Sequence, residues 1–210
     1  MLNRFRSQRE RGDTLIEVLF AVTVMSLVIV MSLSIMNQGT SASLRSLQIT
    51  LVRQEIDSQA EALRFLNSAY VATYKSGYAP AATDTSAAAE YYRMIQAISS
   101  RGATSVSAFN GNAKACQAIP NGSFLINART AKYQRYSAAL FTSAENYAQL
   151  VYKSDGSVGV GQGLWIEAVR STPSGGTSYT DFHIRACWGG PGTDVPMNLG
   201  TIVRLYDPTN

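Results

Sequence analysis

The feature that most constrains this chain is an uncharged apolar run near its start. From Val18 to Met36 the sequence reads VLFAVTVMSLVIVMSLSIM, with no acidic or basic residue. As a helix it is long enough to span a bilayer, which takes roughly 20 residues. A cleavable secretory signal has a shorter apolar core, about 7 to 15 residues, closed by a small-x-small site. Ser32-Leu33-Ser34 mimics such a site, but the run is too long for one. Arg4, Arg6, Arg9 and Arg11 precede it. By the positive-inside rule they hold the N-terminus in the cytoplasm and send everything after Met36 to the far side.

The same arginines account for the charge of the chain. Against Glu10 they give the first twelve residues +3 of a formal +4, leaving only +1 for the rest. That argues against bulk binding of nucleic acid, which needs a concentrated basic face. Cys116 and Cys187 are the only cysteines, and an even count on the exported side of a membrane predicts a disulfide between them. Such a bridge contributes about 4 kcal/mol at the upper end by chain entropy. Two separate buried thiols are the alternative. One histidine, His183, and two cysteines without CxxC spacing do not make a metal site. No cofactor is expected.

An acid at the edge of a span is costly, about 3 kcal/mol at a helix centre and less toward the interface, so Glu17 wants a partner. Its setting is Arg11-Gly12-Asp13-Thr14-Leu15-Ile16-Glu17-Val18-Leu19. This run resembles the prepilin junction of type IV pilins and type II secretion pseudopilins. In that family a short basic leader ends in Gly, a prepilin peptidase cuts after it on the cytoplasmic side, and the fifth mature residue is Glu. The resemblance covers the first 25 to 30 residues. It implies cleavage between Gly12 and Asp13, methylation of the new amino terminus at Asp13, and assembly through Glu17 paired with the amino terminus of a neighbouring subunit. Asp13 stands where the family most often has Phe, which puts methylation in question more than cleavage. Asp13 and Glu17 are also a mildly repulsive i, i+4 pair. The plain alternative is a Glu snorkelling to headgroups in an ordinary anchor.

Beyond the span, Leu44, Leu47, Leu51, Val52, Ile56, Ala60, Leu63, Leu66, Tyr70 and Tyr74 recur at helical steps, and no proline interrupts residues 13 to 79. One helix from about Thr14 to Tyr74 is expected, with Asn37-Gln38-Gly39 as the place where it would break if it were two. Gly77 to Ala89 reads as a loop, and a short helix is predicted from about Ala87 to Ser99. Residues 101 to 122 read as irregular. Strands are predicted at Phe124–Ala128, Ala138–Phe141, Tyr147–Lys153, Leu164–Arg170, Asp181–Trp188 and Thr201–Tyr206, separated by turns such as Ser154-Asp155-Gly156 and Pro173-Ser174-Gly175-Gly176. Gly189-Gly190-Pro191-Gly192 reads as a turn; as a phosphate loop it lacks a following Lys and helix.

The fold expected is α+β: a long N-terminal helix packed on an antiparallel sheet. Its segments are a leader at 1–12, a membrane or filament-core helix at 13–37, an amphipathic spine at 38–76 and a head at 77–210. No catalytic set is legible. His183 lies between Phe182 and Ile184 in a strand pattern, Glu145, Glu167 and Asp181 carry no spacing signal, and Tyr133, Tyr136, Tyr147, Tyr152 and Tyr179 suit a sheet surface or subunit contacts. The resemblance implies a filament subunit, a minor pilin by its elaborate head. Its partners would be a prepilin peptidase, other pilin subunits, the pilus assembly machinery and, before assembly, membrane lipid. It implies a single pass in the cytoplasmic membrane, then a surface filament. A pseudopilin of a secretion or competence system shares the junction. A non-assembling adhesin and a membrane-tethered enzyme are the other classes.

Overall fold

A computed structural model describes residues 13–75, 77–99, 116, 119–120, 122–135 and 137–208, with side chains from Leu15 onward. Its elements are helices α1 (Asp13–Thr73) and α2 (Ala87–Ser99), and strands β1 (Phe124–Asn127), β2 (Lys132–Arg135), β3 (Phe141–Thr142), β4 (Gln149–Tyr152), β5 (Val158–Gln162), β6 (Leu164–Ser171), β7 (Tyr179–Gly189) and β8 (Pro196–Tyr206). The fold is α+β, a long N-terminal helix packed on a C-terminal antiparallel sheet. The chain divides into two compact units, one ending at Leu44 and one running from Arg45.

In the first unit α1 runs through Gly39 without a break, so the alternative of two helices is not what forms. A Cβ at Gly39 would meet nothing, and its helix-propensity cost of about 1 kcal/mol is spread over a 61-residue helix. Polar side chains inside the apolar stretch bond back to the helix. Thr23 donates to the Phe20 carbonyl at 2.8 Å, Ser26 to Val22 at 2.7 Å and Ser32 to Val28 at 2.8 Å. No hydroxyl of these three demands water, as a lipid-facing helix requires.

In the second unit the core gathers Val52, Ile56, Leu63 and Leu66 of α1, Tyr91, Met94 and Ile98 of α2, and the inward residues Ile166, Ala168, Phe182, Ile184 and Val203 of the sheet. Fully burying each such Leu, Ile or Phe contributes about 1.5 to 3 kcal/mol. The predicted stripe on α1 needs one correction, because Leu44 and Leu47 are exposed. At that level the head-facing positions are Arg45 and Gln48. Arg45 donates through Nε to the Pro191 carbonyl at 2.9 Å and through a terminal nitrogen to Gly192 at 3.0 Å. Gln48 accepts from Trp188 Nε1 at 3.1 Å and donates to the Asn146 carbonyl at 3.2 Å. The spacing 45, 48, 52, 56, 59, 63, 66 is helical, so the apolar face simply starts one turn later than the leucines suggest.

The main sheet has the order β2-β1-β6-β7-β8, all antiparallel. A second sheet of three strands, β3-β5-β4, adds a parallel pair between β3 and β5, so the head is more than the single antiparallel sheet expected. The predicted strand at Ala138–Phe141 shrinks to Phe141–Thr142, and the predicted Thr201–Tyr206 lengthens to eleven residues. β2 and β5 were not predicted. KYQR carries little apolar signal, and VGVGQ holds two glycines that weaken a strand. Gly161 is there for packing: the Leu125 side chain occupies the place where a Cβ would stand. Both hairpin turns read from the sequence form, with Gly156 and Gly175 at positive φ.

α2 is anchored at its start. Ser86 Oγ accepts from the Ala89 N–H at 3.3 Å as an N-cap, and Glu90 in the first turn accepts from the Tyr133 N–H of β2 at 2.9 Å. The disulfide forms as predicted. Cys116 is bonded to Cys187 near the end of β7, with Cα atoms 5.4 Å apart, across a separation of 71 residues. Of the 101–122 segment only Cys116, Ile119, Pro120 and Gly122 are among the described residues.

Candidate functional site: the start of the N-terminal helix

α1 begins at Asp13. Gly12 and the four arginines lie outside the described residues, as does the Asp13 side chain. Glu17 is four residues into the helix, where the macrodipole favours an acid. It is exposed, and among the described residues none of the ion pairs involves it.

Around it the surface is apolar and bare. Leu15, Ile16, Val18, Leu19 and Phe20 are each 59 to 70% exposed, and large apolar side chains stay open as far as Met36. This helix is long and apolar enough to cross a membrane, and none of its apolar window is buried inside the chain. Such a surface is stable only in lipid or against other apolar helices. Among the described side chains of this helix from Leu15 to Met36, Glu17 is the one acid on an otherwise apolar surface.

Among the described residues of the head, the carboxylates of β6 and β7 are paired with arginines of the sheet. His183 on β7 stands in register between Glu167 of β6 and Ile202 of β8. Its burial is the largest influence and pushes the imidazole below its ordinary range, with Asp181 and Glu167 pulling upward and Arg185 downward. Glu167 accepts from Trp165 Nε1 at 2.7 Å and pairs with Arg185 at 3.5 Å. Asp181 takes both forks of Arg204 at 2.7 Å. Each of these carboxylates is held by its own arginine, which suits a structural charge ladder on a sheet face. Among the described residues no group of three His, Cys, Asp or Glu gathers as a metal set.

The tyrosines have structural neighbours. Tyr179 lies under the Arg204 guanidinium at 4.0 Å, Tyr152 under Arg129 at 4.0 Å, and Tyr133 against Phe124 at 5.3 Å between centroids. Tyr147 packs partly buried against the core, and Tyr136 lies outside the described residues. Sequence reasoning missed Gln59, a fully buried amide in the head core. Its Nε2 donates to the Ile126 carbonyl at 2.8 Å and its Oε1 accepts from the Ile126 N–H at 2.9 Å. The only signal for it was a polar residue on the apolar face of a helix. No family model, curated protein or solved structure matches this chain.

Proposed function

We propose that this chain is a type IV pilin-like filament subunit, cut after Gly12 by a prepilin peptidase and assembled through α1 into a surface filament. The observation that carries this reading is the coincidence at one helix start. Asp13 follows a glycine and a basic segment, and Glu17 lies four residues in on an apolar helix whose described side chains are exposed. In a bundle of parallel copies the amino terminus freed at Asp13 is a cation at the right depth to offset Glu17 in a neighbour. The same bundle covers the apolar surface. A lone anchor has lipid for the second purpose and only headgroups and water for the first.

The test is Glu17→Val. The acid costs insertion free energy, so the variant enters the membrane at least as well as wild type and is cleaved normally. It fails to appear in sheared surface filaments, and Glu17→Asp gives intermediate recovery because the charge survives with a shorter reach. Equal recovery of Glu17→Val in the sheared fraction, normalised to the membrane pool, removes Glu17 from assembly.

A further inference from the structure

An open groove of about 570 Å³ lies in the head between the last turns of α1 and the end of β8. Val71 and Tyr74 line it from α1, Leu205 and Tyr206 from β8, and Thr177 and Asp207 from the chain beside them. Val71 is 47% exposed and Tyr206 is 55% exposed, so two apolar surfaces that folding does not cover converge on one concavity. Both tyrosine rings are braced from behind. Tyr74 meets Tyr70 edge-on with centroids 5.5 Å apart, and Tyr206 meets Tyr179 edge-on at 5.9 Å. Tyr179 in turn lies under the Arg204 guanidinium at 4.0 Å. Rings fixed before a ligand arrives lose little side-chain freedom when it binds.

The electrostatics of the lining select a class of ligand. Its two charged residues, Arg204 and Asp207, are both committed inside the chain. Asp181 takes Nε and a terminal nitrogen of Arg204 at 2.7 Å, and Arg170 donates to Asp207 Oδ2 at 2.7 Å. An anion or a cation entering the groove would have to compete with one of these pairs. Hydrogen-bonding capacity remains without net charge. Asp207 keeps Oδ1 as an acceptor, and Thr177 and Tyr74 bring hydroxyls. A wholly apolar ligand would strip water from these groups and give nothing back.

We propose that this groove is a binding site for a neutral sugar. A pyranose ring has an apolar C–H face and a rim of hydroxyls, which is the pairing the lining offers. The C–H face packs on the exposed Tyr206 ring and on Val71, because weakly positive C–H groups suit the negative face of an aromatic ring. The rim hydroxyls exchange hydrogen bonds with Asp207 Oδ1, Thr177 and Tyr74. The volume lies within the range of small-ligand sites, about 300 to 1,000 Å³. The groove belongs wholly to the second unit, so the proposal does not rest on the filament reading.

Full-length protein in detergent micelles tests this on immobilised neutral hexoses and N-acetylhexosamines, with the sulfated forms of the same sugars beside them. At least one neutral sugar retains the protein, and its sulfated form retains it less. No retention on any neutral sugar, or equal or stronger retention on the sulfated forms, overturns the proposal. Tyr206→Ala and Val71→Arg each weaken retention roughly tenfold, whereas Tyr206→Phe keeps the ring and stays within about threefold of wild type. Phe65→Ala, at an exposed ring elsewhere on α1, leaves retention unchanged. Tyr206→Ala or Val71→Arg binding like wild type, at an unchanged melting temperature, overturns the assignment to this groove. A chain ending at Pro208 binds as the full chain does. Binding that appears only on that truncation shows the groove to be filled by the chain's own end, and also overturns the proposal.

Discussion

Gln59 has no exposed surface, and its side-chain amide bonds to both backbone groups of Ile126. It acts as a one-residue strand, completing β1 where pairing with β6 extends to a single residue pair, Phe124 with Ile166. Gln59→Leu leaves a buried N–H and C=O unpaired and is expected to destabilise the head by about 2 to 4 kcal/mol in denaturant titration. A loss below about 0.5 kcal/mol would show that water or a shifted backbone replaces the amide. His183 gives a pH signature. Its folded pKa lies below the unfolded value of about 6.5, so its share of stability is present above that pH and is lost as pH falls through the folded value. His183→Gln should therefore flatten the drop in melting temperature between about pH 7 and pH 5. An unchanged drop assigns acid sensitivity elsewhere. The cysteine pair was legible from the sequence because two cysteines allow one pairing. Gln59 was not, because its partner lies 67 residues away and is a backbone that sequence does not display.

Among the elements, both helices were readable from periodicity almost to the residue, since Thr73 and Ser99 end them where the apolar pattern stops. β6 and β7 were readable as apolar strands between turn signals. β2 and β5 were hidden because they are specified by their neighbours: β2 by pairing with β1 and by the Glu90 contact, β5 by β4 and the hollow Gly161 leaves for Leu125. The disulfide links Cys116 to the end of β7, the strand with the most extensive pairing in the sheet. Reduction, or Cys116→Ser with Cys187→Ser, should lower head stability by up to about 4 kcal/mol. The comparison is a melt with and without reductant, and no shift would mean that the sheet alone fixes that end.

At the scale of the whole molecule, α1 serves two environments. From Val52 to Leu66 it is one wall of a close-packed head, while from Leu15 to Met36 it presents apolar side chains to whatever surrounds it. The second stretch was the most legible part of the sequence, because the length and apolar character of a helix are one-dimensional signals. Which helices surround it was not legible, since that is a property of an assembly rather than of one chain. The proposed answer, other copies gathered after leader removal, depends on one covalent event. The measurement that tests it most directly is the intact mass and N-terminal sequence of the protein recovered from cells that make a prepilin peptidase. The account predicts a chain beginning at Asp13, with Gly12→Leu left uncut. A mature protein that still begins at Met1, or begins after Ser34, contradicts it.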